Sequence, residues 1–402
     1  MRKIYLGVLA LYMGILSSHA QTKDTTGYQA RKLKVDEVNF VSAYYHQNGN
    51  NSAVTGGIGT ENLTDFANTL DLQMSKLTKA GNKNTFVFEL GVDHYTSASS
   101  DKIDPYSVSS ASRQDTRVYP SLNWTHSNEK TGTAYGFTGS YSHEFDYQSK
   151  GVGFNFTSVS KDKNTQFDFK AQAFLDSWKV ILPVELRPAG YGSGSDRDGR
   201  GSVPHSPRNS FSTSFSLSQV ITPRLQALLI VEPSYQHGLL ATKYQRDYFT
   251  DGTERVENLP GQRYKLPIAV RFNYFLDDHF IIRTFYRYYM DNWGIRAHTA
   301  EIELPVKLTS FVSVSPFYRY NNQQGTRYFT PYGQHNPTDT YYTSDYDLST
   351  LHSNFVGANF RLSPPNGVLG WQHLNTLELR YGHYMRSTGL NSDVVTLALK
   401  FK

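Results

Sequence analysis

Carboxylates and histidines recur near the predicted ends of several extended segments, and such side chains are suited to holding a divalent cation. The candidates for a metal site are Asp146, Asp291, His298, Asp345 and Asp347. Oxygen-rich clusters with an occasional imidazole bind such ions. In the alternative interpretation, which we prefer, aspartates and serines cap tight turns while Arg287 and Arg319 neutralise the aspartates at the rim.

Catalytic chemistry has little support in the sequence. Covalent catalysis needs a nucleophile beside a base, and no Gly-x-Ser-x-Gly, His-Glu-x-x-His, phosphate-loop or dinucleotide fingerprint is present. His298 and His383 are predicted to face outward near strand ends, where a histidine in a membrane protein is usually solvated by headgroups. Cysteine is absent, which excludes thiolate ligands and cysteine nucleophiles. The sequence therefore predicts a protein that is not an enzyme and has no cofactor.

A larger set of charged residues shares one face of the extended segments and is predicted to line a lumen. It consists of Glu144, Asp168, Lys170, Arg271, Arg283, Arg287, Glu301, Glu303, Arg319, Arg361, Glu378 and Arg380. Acids dominate before about residue 180 and bases between 263 and 290, so opposite walls are expected to differ in sign and to favour small polar solutes. Alternatively, these charges pair across neighbouring strands and fill the interior as a salt-bridged plug. If the lumen is open, loop 179–208 is the segment expected to fold in and restrict it.

The elements that position these charges alternate with a period of two. In residues 263–274 the even positions are all apolar or aromatic, whereas the odd positions are mostly charged, small or polar. Such a segment has one apolar face when it is extended and no consistent face when it is helical. Aromatic residues are abundant, with 29 Tyr, 24 Phe and 4 Trp, and they suit the interfacial girdles of a membrane barrel.

Counting such segments predicts about sixteen strands. Their expected bounds are 36–46, 63–76, 84–95, 116–127, 132–146, 149–160, 165–178, 209–221, 225–237, 262–275, 280–291, 294–306, 310–321, 350–362, 374–386 and 392–401. Connections after even-numbered strands are mostly short, and all the longest connections follow odd-numbered strands. Two connections that follow odd-numbered strands, near 147–148 and 292–293, are nevertheless short. This pattern predicts an all-β fold: a single up-and-down antiparallel transmembrane β-barrel with short periplasmic turns and long extracellular loops. The rival is a soluble exported β-protein such as a propeller, for which no blade-length repeat is present.

The first residues carry the features of an export signal. A basic start at Arg2 and Lys3 precedes an apolar stretch, and Ala20 ends a small-residue cleavage site. We therefore expect a signal peptide over residues 1–20, a short periplasmic segment over 21–35 and an outer-membrane barrel over 36–402. The 40 basic residues exceed the 35 acidic residues by five, which gives a net charge of +5. A charge this small predicts that nucleic acid is not a partner.

Three blocks of sequence resemble a known family. They are 143–149 with its Asp-Tyr-x-Ser hairpin, 286–299 with Tyr-Arg-Tyr-Tyr and Trp-Gly-Ile-x-Ala-His-Thr, and 342–349 with Thr-Ser-Asp-Tyr-Asp-Leu-Ser. In this order they resemble an uncharacterised family of Gram-negative outer-membrane β-barrels catalogued as a domain of unknown function. The resemblance implies the barrel and the outer membrane, and no reaction. Relatives tend to be encoded near exported flavin-transfer or thioredoxin-like proteins, which implies an envelope redox protein as a partner.

The remaining partners follow from the predicted barrel. The outer wall is expected to contact outer-membrane lipid, and residues 394–401 resemble the aromatic-terminated last strand that barrel-assembly machinery reads. Three functions compete. The charged lumen favours a porin-like channel for transport of small polar or charged solutes, the alternative is a sealed barrel that binds another envelope component through its rim and loops, and an outer-membrane enzyme has the least support.

Overall fold

The alternating segments pair edge to edge into one antiparallel sheet whose first and last strands meet. In this computed structural model, which describes residues 32–98, 112–189, 191 and 203–402, the first strand pairs with its successor and with the last strand. The sheet is thereby closed into a barrel. The predicted signal peptide and residues 21–31 lie outside the described residues.

The structure has twenty strands and four short 3-10 turns among the described residues. The strands are β1 (Lys34–Asn48), β2 (Leu63–Leu77), β3 (Lys83–Thr96), β4 (Gln114–Asn128), β5 (Thr133–His143), β6 (Tyr147–Val159), β7 (Thr165–Lys179), β8 (His205–Thr222), β9 (Leu225–Val231), β10 (Ser234–Gly238), β11 (Arg246–Tyr248), β12 (Glu254–Val256), β13 (Gln262–Phe275), β14 (Ile281–Asp291), β15 (Arg296–Glu303), β16 (Val306–Lys307), β17 (Val312–Gln324), β18 (Leu351–Leu362), β19 (Leu374–Arg386) and β20 (Asn391–Phe401). The 3-10 turns are η1 (Ala53–Thr55), η2 (Val184–Leu186), η3 (Tyr346–Leu348) and η4 (Val368–Gly370).

These strands form sixteen wall spans, which confirms the predicted barrel. β9 and β10 form one span interrupted at Pro233, and β15 and β16 form another interrupted at Pro305. Proline has no N–H to donate to the ladder, but its carbonyl still pairs: Thr213 N donates to Pro233 O at 3.0 Å and Ile281 N donates to Pro305 O at 3.1 Å. β11 and β12 form a separate hairpin within a loop.

Connections at one end of the barrel are turns, and those at the other end include all the long loops. The long-loop side has 49–62, 97–113, 180–204, 239–261 and 325–350, and also three short connections at 144–146, 292–295 and 387–390. The first two short connections match the predicted exceptions, and the third adds to them. No helix among the described residues has the length and apolar character needed to cross a membrane.

The outer face of the wall carries the large apolar side chains. Rings of Phe137, Phe154, Phe169 and Phe215 follow one another across β5 to β8, with successive centroids 5.4, 6.3 and 5.1 Å apart. Phe272 on β13 is likewise exposed on this face. A closed barrel satisfies its backbone hydrogen bonds internally, and an apolar outer face suits it to lipid. The chain is therefore a transmembrane β-barrel protein of an outer membrane.

A small apolar cluster lies at the long-loop end, where the extracellular loops are. Leu240, Ala241 and Leu259 of loop 239–261 pack on Trp293 of the short loop 292–295. The Trp293 indole Nε1 donates to Gln262 O at 3.0 Å, which fixes the ring at the external end of β13. This cluster ties two adjacent loops to the rim.

Candidate functional site

The inner face of β13 to β17 brings charged residues from neighbouring strands side by side. Arg271 is opposite Phe285, Arg287 is opposite Thr299, and Glu301 is opposite Arg319 in the strand register. Directly opposed residues point to the same side of a sheet. These side chains therefore share the wall face opposite to that of Phe272.

Half of the residues predicted to line the lumen form ion pairs between adjacent strands. The pairs are Arg319–Glu301 with N–O at 2.5 Å, Arg283–Glu303 at 3.4 Å and Arg361–Glu378 at 3.4 Å. Cross-strand pairing of this kind is the arrangement that the alternative of a sealed interior requires. Because these side chains stay partly exposed, each pair contributes little stability, about 0–1 kcal/mol.

The other predicted lumen residues have different partners. Among the acids, Asp168 accepts from Thr157 Oγ1 at 2.7 Å and Glu144 accepts from the Tyr95 hydroxyl. Among the bases, the described part of the chain places no carboxylate within 4 Å of Lys170, Arg271, Arg287 or Arg380. The Arg380 guanidinium lies 4.2 Å from the Phe317 ring centroid, and that of Arg271 lies 5.5 Å from the Phe285 centroid. The lumen wall thus carries positive charges with no acidic partner nearby among these residues.

One group of acidic residues lies across the barrel from Arg271 and Arg287. Asp65, Asp71, Glu89 and Asp93 lie on the inner face of β2 and β3, and within the described chain no basic group lies within 4 Å of them. β2 and β13 are eight spans apart in a ring of sixteen, as are β3 and β14. The acidic wall therefore faces the strands that carry Arg271 and Arg287, and the two walls set up a transverse field.

A polar cavity of about 550 Å³ lies against the basic wall. Its lining includes Arg263, Arg271, Phe285, Arg287, Tyr289, Ile295, Ala297, Thr299, Glu301, Arg319, Asn321, Gln323, Asp347, Leu348, Ser353 and Tyr384. Four of these residues are arginines and two are acids. The volume is within the range of sites that hold small molecules, roughly 300–1,000 Å³.

The turn η3 of loop 325–350 closes one side of this cavity. Gln323 Nε2, at the external end of β17, donates to Asp347 O at 2.9 Å and to Ser349 O at 2.8 Å. The Arg386 guanidinium of β19 donates to the Asp347 carboxylate. The Asp345 carboxylate caps the turn by accepting from Asp347 N at 2.9 Å. The loop segment is therefore held against the inner wall near the mouth.

Loops from distant parts of the ring meet at the buried Arg246. Its guanidinium donates from Nη1 to Val54 O at 2.9 Å, pairs with Glu185, and has its Nε 3.5 Å from Glu254. Arg246 is 1% exposed, and Val54, Glu185 and Arg246 belong to three different external loops. We call loops 49–62, 180–204, 239–261 and 325–350 together the loop cap. Residues 190 and 192–202, part of the loop predicted to fold inward, lie outside the described residues.

A second buried group in the loop cap joins two of the loops. The Glu257 carboxylate accepts from the Thr343 hydroxyl at 2.6 Å and from Thr242 N. Burial raises the pKa of Glu257 to about 8, and the nearby Asp247 and Asp345 charges add to the rise. Burial and neighbouring acids also raise the pKa of Asp345, whereas burial lowers the pKa of Lys243. Burial in the folded cap therefore favours the protonated form of Glu257.

The loop cap is expected to loosen as pH rises. Because the pKa of Glu257 is raised on folding, its stabilising contribution is complete below the unfolded value near 4.5 and is lost as pH rises through about 8. Between pH 5.5 and 8.5, hydrogen exchange of loops 239–261 and 325–350 should accelerate by up to about tenfold per pH unit beyond the intrinsic rate change. Asp345 contributes with the same sign and Lys243 with the opposite sign.

The variant Glu257→Gln isolates this effect. A neutral amide has nearly the same shape, and the Thr343 hydroxyl can reverse its hydrogen bond to suit it. Hydrogen exchange of the variant should show a smaller pH dependence and greater protection than the parent at pH 8.5. An unchanged pH dependence in the variant would show that Glu257 does not control the cap.

The structure does not assemble the five metal candidates into one site. Asp291 pairs with Arg263 at 2.6 Å, His298 Nδ1 lies 2.7 Å from the Tyr286 hydroxyl, and Asp146 accepts from the Trp178 indole at 3.3 Å. Asp345 and Asp347 are joined through the η3 cap described above. Over the described residues, no group of three acidic or histidine side chains is placed to hold a metal ion.

The outward histidines have no serine or threonine hydroxyl as a partner in the described part of the chain; their partners are a tyrosine hydroxyl and a carboxylate. His383 Nδ1 lies 2.8 Å from Asp393, which also accepts from the Tyr381 hydroxyl at 2.7 Å. His298 contacts tyrosine rings. Among the described residues, neither histidine is hydrogen-bonded to a serine or threonine. The prediction that the protein is not an enzyme is consistent with these contacts, which do not test it.

Sequence reasoning missed the residues that build the loop cap. Arg246, His335 and Thr343 are at most 1% exposed, yet they lie in loops without the period-two pattern that marks the wall. His335 Nε2 lies 3.0 Å from the Ser344 hydroxyl and 3.6 Å from Asp247. Thr343 belongs to the sequence block 342–349 that resembles the family, but nothing in the pattern around Arg246 or His335 distinguishes them from solvent-exposed polar loop residues.

Comparison with known proteins finds one sequence family and several solved structures of similar fold. The sequence matches the family described as "Protein of unknown function (DUF3570)" over residues 15–387. No curated protein sequence matches it.

Three solved structures are similar over nearly all of the barrel. OccK9 (OpdG) of Pseudomonas aeruginosa is 9% identical with a TM-score of 0.43, covering 92% of this chain and 99% of its own. OpdO of the same organism is 8% identical at 0.43, covering 91% and 95%. A BenF-like porin of Pseudomonas fluorescens Pf-5 is 9% identical at 0.41, covering 92% and 99%. Nothing about solutes or function follows from likeness at this level.

Proposed function

The chain belongs to the DUF3570 family of proteins of unknown function, and from its own geometry we propose that it is a channel for small polar or charged solutes. The main support for this proposal is that opposite walls of the lumen carry opposite charge. The wall of β2 and β3 is acidic, and the wall of β13 and β14 is basic. Sixteen strands enclose enough space for an aqueous passage when loops leave it open. A transverse field orients polar solutes and lowers their cost of entering the lumen.

The cavity against the basic wall supports the same proposal. It lies between wall strands and the turn η3, so a solute entering past the loop cap would meet Arg287 and Arg271 on its way through the barrel. These side chains are exposed to the lumen. A polar path lined by charged groups is the usual selectivity device of outer-membrane channels.

A second function is supported by the loop cap. The contacts of Arg246 bring together loops from well-separated points of the rim, and three ion pairs fill part of the inner wall. These features suit a sealed barrel that binds another envelope component through its loops. An envelope redox protein is the partner to test first, by co-purification with the detergent-solubilised chain.

Conductance separates the two functions. Purified full-length protein added to a planar lipid bilayer in 1 M KCl should insert in discrete current steps, because each barrel adds one aqueous path. Protein denatured by boiling before addition is the control and should give no steps. A bilayer that stays silent although the barrel is folded would contradict the channel proposal, and a stoichiometric partner in the same preparation would support the sealed barrel.

A further inference from the structure

Two arginines stand next to each other on the lumen wall. Ala269 of β13 is opposite Arg287 of β14, and Arg271 is opposite Phe285, so Arg271 and Arg287 are diagonal neighbours on one face. Diagonal neighbours in an antiparallel pair have Cα atoms about 7–8 Å apart, within reach of long side chains. Both guanidinium groups line the same cavity and are exposed to it.

The charges of the surrounding arginines are matched, whereas these two are not. Arg263 pairs with Asp291 at 2.6 Å and Arg319 pairs with Glu301 at 2.5 Å. Neither Arg271 nor Arg287 has a carboxylate within 4 Å among the residues that the structure describes. Two like charges held close together repel each other, and an anion placed between them would relieve that repulsion. The cavity therefore offers two free cationic groups in one place.

The shape and chemistry of the cavity limit what the anion can be. Each guanidinium presents a planar fork of donors that matches two oxygens of a carboxylate or a phosphate. Phe285, Ile295, Ala297 and Leu348 supply apolar lining beside the arginines. A volume of about 550 Å³ exceeds the space needed by an inorganic ion alone. The lining suits an oxyanion that carries a small apolar body.

We propose that Arg271 and Arg287 together bind one small organic oxyanion, a carboxylate or a phosphate, and make the lumen selective for this class of solute. This inference rests on the channel function proposed above. The matched pairs Arg263–Asp291 and Arg319–Glu301 frame the position without competing for the anion. The acidic wall of β2 and β3 disfavours anions on the opposite side, so the bound solute is held to β13 and β14.

The test measures how three probes reduce the ion current of the reconstituted full chain. Butyrate carries a carboxylate and a small apolar body, inorganic phosphate carries the oxyanion alone, and butylammonium carries the same body with the opposite charge. Butyrate, phosphate or both should reduce the current at saturable concentrations, and butylammonium should not. The anion that blocks the current at the lower concentration shows whether the site prefers an organic carboxylate or phosphate. Block by butylammonium alone would overturn the proposal.

Paired variants assign the effect to the two arginines. The double variant R271Q/R287Q should weaken anion block about tenfold or more, since each charged fork removed costs several-fold in affinity. The matched double variant R283Q/R361Q removes the same charge from ion-paired wall residues outside the cavity lining and should change block less than about twofold. Equal losses in both double variants would overturn the proposal, because net charge alone would then explain them.

Two further measurements apply if the double variant does not fold or if the wild-type chain conducts no current. If R271Q/R287Q does not fold, R271K/R287K keeps the charge but loses the planar forks, and it should weaken block several-fold. If the wild-type chain gives no current, the channel function is contradicted. Calorimetric titration of the detergent-solubilised chain with butyrate and phosphate then tests separately whether the two arginines bind an oxyanion. Binding that is lost in the first double variant and kept in R283Q/R361Q would uphold the site, and absence of binding would overturn it.

Discussion

Replacing Phe215 with arginine should lower the free energy of unfolding of the barrel by about 2–4 kcal/mol, the cost of a basic side chain at the lipid face near the bilayer midplane. Phe215 lies on the outer face of β8, is 40% exposed and contacts the Phe169 ring. The substitution places a charge in hydrocarbon and removes that contact. Reversible unfolding in guanidinium, with the chain in lipid vesicles, measures the change.

The neighbouring residue provides the matched control. Ser216 points to the inner face, where it lies directly opposite Asp168 of β7 in the register. Arginine at this position would stand in water beside a carboxylate, so S216R should change the free energy of unfolding by less than about 1 kcal/mol. Equal destabilisation by F215R and S216R would mean that the assignment of the two faces is wrong.

Replacing Arg246 with methionine should release the loop cap while leaving the wall intact. Removing one partner of a buried ion pair costs about 3–5 kcal/mol. Because Glu185 is 41% exposed and Glu254 is 26% exposed at the side chain, we expect a smaller cost of about 2 kcal/mol here. That corresponds to roughly 30-fold more frequent opening. Hydrogen exchange of loops 49–62 and 239–261 should accelerate accordingly.

An exposed arginine at the opposite end serves as the control for this substitution. Arg224 lies in the turn between β8 and β9 and is exposed, so R224M should leave exchange in the loop cap unchanged. The strands of the wall should exchange at parent rates in both variants. Unchanged loop exchange in R246M would contradict the central position of Arg246 in the cap. If R246M also raises single-channel conductance, the cap restricts the passage.

The wall was predictable because its determinants are local. A strand alternates its side chains every two residues, so the choice of face for Phe272 and Arg271 follows from sequence position alone. The alternation of short and long connections likewise follows from the chain itself, since a span that crosses a bilayer must return. All sixteen predicted strands are present, with bounds that differ by at most four residues.

The structure decided which charges meet. Arg319 pairs with Glu301, and Arg271 stays without a carboxylate neighbour in the described residues, because the stagger between strands sets which residues face each other. That stagger depends on the closure of the whole ring and leaves no trace in any one segment. The sequence therefore indicated a charged lumen, and the register selected the two unmatched arginines.

The contacts within the loop cap are the part of the structure that the sequence predicted least. Arg246 and Val54 are 192 positions apart and Glu257 and Thr343 are 86 apart, yet each pair is joined by a hydrogen bond. Period and composition, which alone determined the sixteen strands and the two faces of the wall, act between residues that are close in the chain. Contacts among loops arise only after closure of the barrel has brought the ends of distant strands around one mouth, so only the tertiary structure could decide them.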